Sequence, residues 1–181
     1  MNEQALSSES GEPPGPASEA VTHEADPVAV AREIALRRLT VRARSRQELE
    51  ADLARRRVPT EAAREVLDRF EEVGLVDDAQ FAQTWVTSRS QRRRASSVRL
   101  KQELRLKGVD DAEIDAALES LDPDADLANA LALARTKVGS LHGLEPSAQQ
   151  RRLAGFLSRR GFGSDIVRRV VRQVLAGDLD A

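Results

Sequence analysis

The chain has no cysteine and no tyrosine, one tryptophan and four phenylalanines among 181 residues. Without cysteine there are no disulfides, no thiolate metal sites and no cysteine nucleophile, a usage that suits a reducing compartment. With so few aromatics, core burial has to come from Leu, Val, Ile and Ala, which pack helix against helix. No stretch approaches the roughly 18 apolar residues of a membrane span, and the N-terminus has neither a basic nor an apolar leader region. The expectation is a soluble, cytoplasmic protein. Histidine is also scarce: His23 falls in a polar tail and His142 in a glycine-bearing loop, and nothing in the sequence pairs with either. A phosphate-binding glycine loop, a dinucleotide-binding glycine pattern and a zinc-binding helix motif are all missing. No catalytic residue, cofactor or metal is therefore expected, and the chain reads as a binding protein and not an enzyme. The adjacent Asp77 and Asp78 invite a metal reading, but carboxylates ahead of an apolar helix serve more often as a cap.

What is present is charge and helical periodicity. Residues 1–27 carry six acids, no Lys or Arg, and many Pro, Gly and Ser, so they are expected to be a disordered acidic tail. That tail acts either as a solvating segment or as a competitor for basic surface elsewhere. From residue 28 on, apolar residues recur at helical spacing without strand-like alternation, which predicts an all-α body. A first helix over 28–42 places Val30, Ile34 and Leu36 inward. Ser45 and Glu48 form a capping box for the next helix, with Glu48 reaching back to the cap. Val58-Pro59-Thr60 ends that helix and caps a third one carrying Ala63, Val66, Leu67 and Phe70. Asp77 or Asp78 then caps a fourth.

A repeat underlies this order. A shift of 51 residues brings Leu49 onto Leu100, Leu53 onto Leu104 and Val58 onto Val109; a further shift of 53 reaches Leu153, Leu157 and Phe162. Each copy holds Leu-x-x-x-Leu on one helical face, a stop, an apolar anchor and a second amphipathic helix, with another helix ahead of it. The predicted architecture is nine helices in three tandem three-helix repeats, over 28–76, 77–122 and 123–177, followed by a short tail at 178–181. Asp122-Pro123 marks the second junction, and residues 138–146 form a mobile loop. Units that touch only their neighbours make an elongated, curved body suited to an extended partner.

The middle repeat stands out by charge. Residues 88–107 hold Arg89, Arg92, Arg93, Arg94, Arg99, Lys101, Arg105 and Lys107 against the single acid Glu103, a local charge of +7 on a chain of net charge −2. Such a run is often only a solvated helix face. The dominance of Arg, whose planar fork bonds phosphate or carboxylate, favours a polyanion or an acidic protein surface. On a continuous helix Arg94, Lys101 and Arg105 share one face. Trp85 matches Ile34 in the repeat register, which favours a core role over base stacking. Two short helices around a tight turn at Leu49–Leu67 resemble a helix-turn-helix, but the same geometry in every copy makes it the packing of the repeat.

The segments Ser45-x-x-Glu48-Leu49-x-x-x-Leu53, Gly74-Leu75-Val76-Asp77-Asp78-x-x-Phe81-Ala82-x-x-Trp85, Glu103-Leu104-Arg105-x-Lys107-Gly108-Val109 and Leu157-x-x-Arg160-Gly161-Phe162 resemble the RecX family, bacterial regulators of the RecA recombinase. The resemblance spans about residues 30–176. Ser96 stands where the family usually has Gly, and Arg57 stands where the other repeats carry Gly108 and Gly161. The resemblance implies a protein that binds the RecA–DNA filament along its groove and restrains ATP hydrolysis, strand exchange and coprotease activity, and a monomer is expected. DNA, single- or double-stranded, is a further partner on this view. The competing expectation is a nonspecific nucleic-acid-binding protein that acts without RecA.

Overall fold

The computed structural model describes residues 26–177, so the acidic segment up to residue 25 and residues 178–181 lie outside the described residues. Among the described residues the chain is all-α, with nine α-helices and no strand. They are α1 (Pro27–Val41), α2 (Arg46–Arg55), α3 (Thr60–Glu72), α4 (Asp78–Arg93), α5 (Ser97–Arg105), α6 (Asp111–Glu119), α7 (Ala125–Val138), α8 (Pro146–Ser158) and α9 (Ser164–Leu175). Helix α1 starts one residue earlier than the periodicity indicates, because Pro27 fits the first turn and Asp26 accepts the Val28 N–H at 3.0 Å. Asp26 and Pro27 thus belong to the helix and not to the tail.

Each helix packs chiefly on the other two of its own triplet, and each triplet has its own core. The repeat register explains why. Leu49, Leu53, Leu100, Leu104, Leu153 and Leu157 are all fully buried, on the second helix of each triplet. Four residues make slightly more than one turn, so each pair lies on one face and inserts between the flanking helices. Removing one such side chain costs about 2–5 kcal/mol.

The first helix, α1, departs from expectation. Buried there are Ala31 and Ala35, matched by Ala130 and Ala134 in α7, whereas α4 buries Phe81, Ala82, Val86 and Ser90. Val30 and Leu36, placed inward by the periodicity of bulky residues, are exposed, and Ile34 only flanks the core. Small side chains let this helix approach the other two closely, so the face that counts carries the least hydrophobic bulk. Two loop assignments also change. Thr60 is the first residue of α3 and Pro59 occupies the cap position without a side-chain hydrogen bond. The segment between α7 and α8 contains a 3₁₀ turn, Gly139–Leu141, anchored by the buried Leu141. It accounts for the change in register from 48 residues between α4 and α7 to 53 between α5 and α8.

Adjoining triplets meet through a polar seam that is built twice. At the first, the Ser45 hydroxyl donates to the Lys107 carbonyl at 2.6 Å and the Arg46 N–H donates to Asp78 at 2.9 Å. At the second, the Ser96 hydroxyl donates to the Arg160 carbonyl at 2.9 Å and the Ser97 N–H donates to Asp126 at 2.9 Å. Ser45 and Ser96 also cap their helices, accepting the N–H of Glu48 and Arg99 at 3.3 Å. Serine at position 96 therefore does two jobs, neither open to glycine.

The seam also explains the glycines. Gly108 and Gly161 have φ of +76° and +87°, and each turn presses on the preceding triplet. A Cβ on Gly108 would overlap Gln47, and one on Gly161 would sit 2.7 Å from the Ser96 hydroxyl. Arg57, with φ of 60°, occupies the same turn in the first triplet, where no described triplet precedes it and a side chain can point to solvent.

Candidate polyanion interface

The basic run does not lie on one helix. Helix α4 ends at Arg93, Arg94 takes the left-handed conformation at φ 51°, and α5 begins at Ser97 beyond the buried Ala95 and Ser96. Arg94 is thus in a turn, and the single face proposed for Arg94, Lys101 and Arg105 does not exist. The capping preference of Ser96 outweighs helix continuation here, because a polar N-cap and a preceding left-handed residue satisfy amides that a continuous helix would have used otherwise.

The eight cations divide into two groups. Lys101, Arg105 and Lys107 are paired with carboxylates outside the basic run. Lys101 bonds Asp115, and Arg105 grips Asp111 through two hydrogen bonds of 2.7 and 2.8 Å. That contact raises Arg105 and lowers Asp111 relative to their ordinary pKa values. Lys107 crosses the first seam to Glu48 at 2.6 Å, while Arg42 holds the same carboxylate from its own triplet at 3.0 Å. Burial alone would raise the Glu48 carboxyl, but hydrogen bonds from Arg42 and Lys107 bring it down to about 2. Glu48 is therefore committed to an ion-pair bridge between triplets, in place of reaching back to its own cap.

The second group is less compensated. Glu103 is the only acid in this part of the chain, and it accepts the Trp85 indole N–H at 3.2 Å and Arg99 at 3.1 Å, with Arg89 at 3.7 Å. Trp85 is half-buried against the middle core, as its register implies. Its ring also carries the Arg89 guanidinium at 4.0 Å and the Lys107 ammonium at 4.4 Å from its centroid. It fixes cations in place as well as filling space. Arg92, Arg93 and Arg94 form no ion pair among the described residues.

The third triplet adds cations that charge counting around the middle repeat missed. Arg160 lines a cleft with Arg89, Arg93, Arg94, Arg99 and Glu103. Its guanidinium stacks on Phe156 at 4.7 Å. Phe156 in turn borders a second hollow with Lys137, Arg151, Arg152 and Arg159. A basic surface thus runs from the end of α4 across the second seam onto α8. The signal was available: residues 151–160 contain four arginines and no acid, although they lie outside the most basic window.

Among the described residues no group of acids and histidines could hold a metal, and no helix is long and apolar enough to cross a membrane.

Comparison with known proteins agrees with this architecture triplet by triplet. The first, second and third three-helix domains of RecX match residues 31–70, 77–118 and 124–171, respectively. The regulatory protein RecX of Streptomyces coelicolor is 45% identical over 167 residues, covering 92% of this chain and 84% of that protein. The regulatory protein RecX of Thermobifida fusca is 42% identical over 153 residues, covering 84% and 83%. The crystal structure of RecX from Lactobacillus salivarius superposes with a TM-score of 0.74 at 21% identity, covering 86% of this chain and 97% of that one. With three domains in order, seams that recur and close relatives over most of its length, the chain belongs to the RecX family of regulatory proteins.

Proposed function

We propose that this protein regulates RecA by binding the RecA–DNA filament and restraining its ATP hydrolysis, strand exchange and coprotease activity. It acts as a monomer in the cytoplasm and by contact alone. The observation that carries this reading is the basic surface spanning two triplets, with Arg92, Arg93, Arg94, Arg151, Arg152 and Arg159 outside any described ion pair. An extended polyanion crossing a seam engages more cations than one triplet offers, and Arg forks suit its phosphates. Of the eight cations marked by the sequence, Arg89, Arg92, Arg93, Arg94 and Arg99 carry the contact. Lys101, Arg105 and Lys107 are engaged by carboxylates and support the fold.

The test is RecA ATPase on single-stranded DNA at substoichiometric amounts of this protein, with filament length measured in parallel. Wild type inhibits and shortens filaments, whereas Arg92→Ala/Arg93→Ala/Arg94→Ala loses at least 10-fold in potency. Absence of inhibition by wild type overturns the RecA reading. Tight, steeply salt-dependent DNA binding at concentrations without effect on RecA establishes nonspecific nucleic-acid binding in its place. Undiminished inhibition by the triple variant removes the role of these arginines.

A further inference from the structure

The two seams share one pattern of backbone hydrogen bonds, and they differ in charge where the first is bridged by an ion pair. At the first seam three side chains meet: Arg42 and Lys107 both bond the Glu48 carboxylate, at 3.0 and 2.6 Å. The repeat register carries Arg42 onto Arg93, Glu48 onto Arg99 and Lys107 onto Arg160. Two flanking cations are kept and the acid between them is replaced by a third cation. The backbone is nonetheless seated as before, with the Gly161 turn against the start of α5. A Cβ on Gly161 would lie 3.6 Å from that of Arg99, and Ser96 still reaches the Arg160 carbonyl. Like charges are thus held together at a place where the sister seam has an ion pair.

These residues do not fill the space between them. They line a cleft of about 320 Å³ with Arg89, Arg94 and Ala95. Five guanidinium groups face one carboxylate, and Glu103 is already occupied by the Trp85 indole, Arg99 and Arg89. A small, partly enclosed space with this charge balance selects a compact oxyanion, and planar Arg forks bond two oxygens of a tetrahedral one at a time.

We infer that the cleft between the second and third triplets is a phosphate-binding site, in which a bound phosphate group takes the place that Glu48 holds at the first seam. It bridges Arg93 and Arg99 of one triplet to Arg160 of the next. The third triplet is consequently clamped on the second when phosphate is bound, whereas the first seam is closed permanently by its own carboxylate. The inference rests on reading this face as anion-binding and does not depend on RecA. The group is supplied either by a free phosphate or by a nucleic-acid backbone, and the two sources are separable by experiment.

Trp85, the single tryptophan, contacts both Arg89 and Glu103 and so reports on the cleft. The full chain, without RecA, is titrated with inorganic phosphate, pyrophosphate or a short oligothymidylate, at ionic strength matched with chloride. Wild type gives a saturable change in Trp85 emission and a rise in thermal midpoint with at least one ligand. Saturation by phosphate or pyrophosphate identifies a free anion, and saturation by the oligonucleotide alone identifies a backbone phosphate. Arg99→Glu restores the first-seam pattern: it weakens binding at least 10-fold, and its thermal midpoint without ligand equals or exceeds that of wild type. Arg160→Gln carries the same binding test if the first variant loses its helical circular dichroism. No saturable response to any ligand, a response matched by chloride alone, or undiminished binding in the variant overturns the inference. RecA inhibition by wild type is measured separately, so the failure of one reading is distinct from the failure of the other.

Discussion

The first and second seams of this molecule use one backbone solution and opposite electrostatics. In both, the serine that caps a second helix also donates to the carbonyl before a glycine of the next triplet, at 2.6 and 2.9 Å. In both, the following amide is taken by an aspartate at the start of that triplet's first helix. The first seam then closes on a part-exposed ion-pair bridge, Arg42–Glu48–Lys107, whereas the second gathers Arg93, Arg99 and Arg160 around open space. The difference teaches that geometry and charge are separable in a tandem repeat. Neighbour contacts that preserve spacing recur in every copy, while side chains at the margin of the seam are free to serve a partner.

Charge reversal at the first seam should have the largest effect. Glu48→Arg leaves Lys107, half-buried near Trp85, facing two further cations, and the expected loss is about 3 kcal/mol in a urea titration. Arg99→Glu, the mirror change at the second seam, should be neutral or stabilising. Equal losses from the two changes would break the comparison, since they would mean that both seams depend on the present charges alike.

Steric intrusion comes next. Gly108→Ala combines a positive φ with an overlap on Gln47, so about 2 kcal/mol is expected, read as a lower denaturation midpoint. Gly161→Ala should cost less, roughly 1–2 kcal/mol, because its nearest obstacle is the Ser96 hydroxyl at 2.7 Å, which can rotate away at the expense of one hydrogen bond.

Acid should separate the seams further. The folded Glu48 carboxyl sits at about 2 against an ordinary value of 4.5, so the unfolded chain takes up its proton first as pH falls. The associated stability is fully present above pH 4.5 and is lost on descending toward 2. Allowing for solvent screening of a bridge at the molecular surface, the loss is about 1–2 kcal/mol. Urea titrations at pH 6 and about pH 3 should show it in wild type and lack most of it in Glu48→Gln.

The smallest effect is expected where no seam exists. Arg57→Gly relieves a left-handed residue with φ of 60° at a turn that touches no earlier described triplet, and about 0.5–1 kcal/mol of stabilisation is expected. A thermal midpoint that moves down would show that Arg57 makes a contribution beyond its backbone.

Much of this was legible in the sequence. The Leu pairs at four-residue spacing, the capping Ser45 and an aspartate cap at Asp77 or Asp78 announce themselves through periodicity and local hydrogen bonding, and of the two aspartates it is Asp77 that caps. The inner face of α1 was not, because Ala31 and Ala35 pack by being small, and a search for bulky residues passes over them. The candidate site was legible as a concentration of arginine but not as a surface. Arg94 looked continuous with α5 until Ser96 stopped the helix, and Arg160 joined the site from 61 positions beyond Arg99.

Sequence alone settled the helical class, the triple repeat and the register of its core, since these follow from interactions within a few residues and from a period that copies itself. Tertiary structure alone decided which cations are spent and which remain. Lys107 and Arg99 are equal as charges in the chain. One meets the Glu48 carboxylate across a seam, and the other meets Arg160 there, with only the shared Glu103 within reach in its own triplet. Electrostatic partnership depends on distance in space, and a linear chain does not state which carboxylate the fold will bring within a few ångströms of which cation.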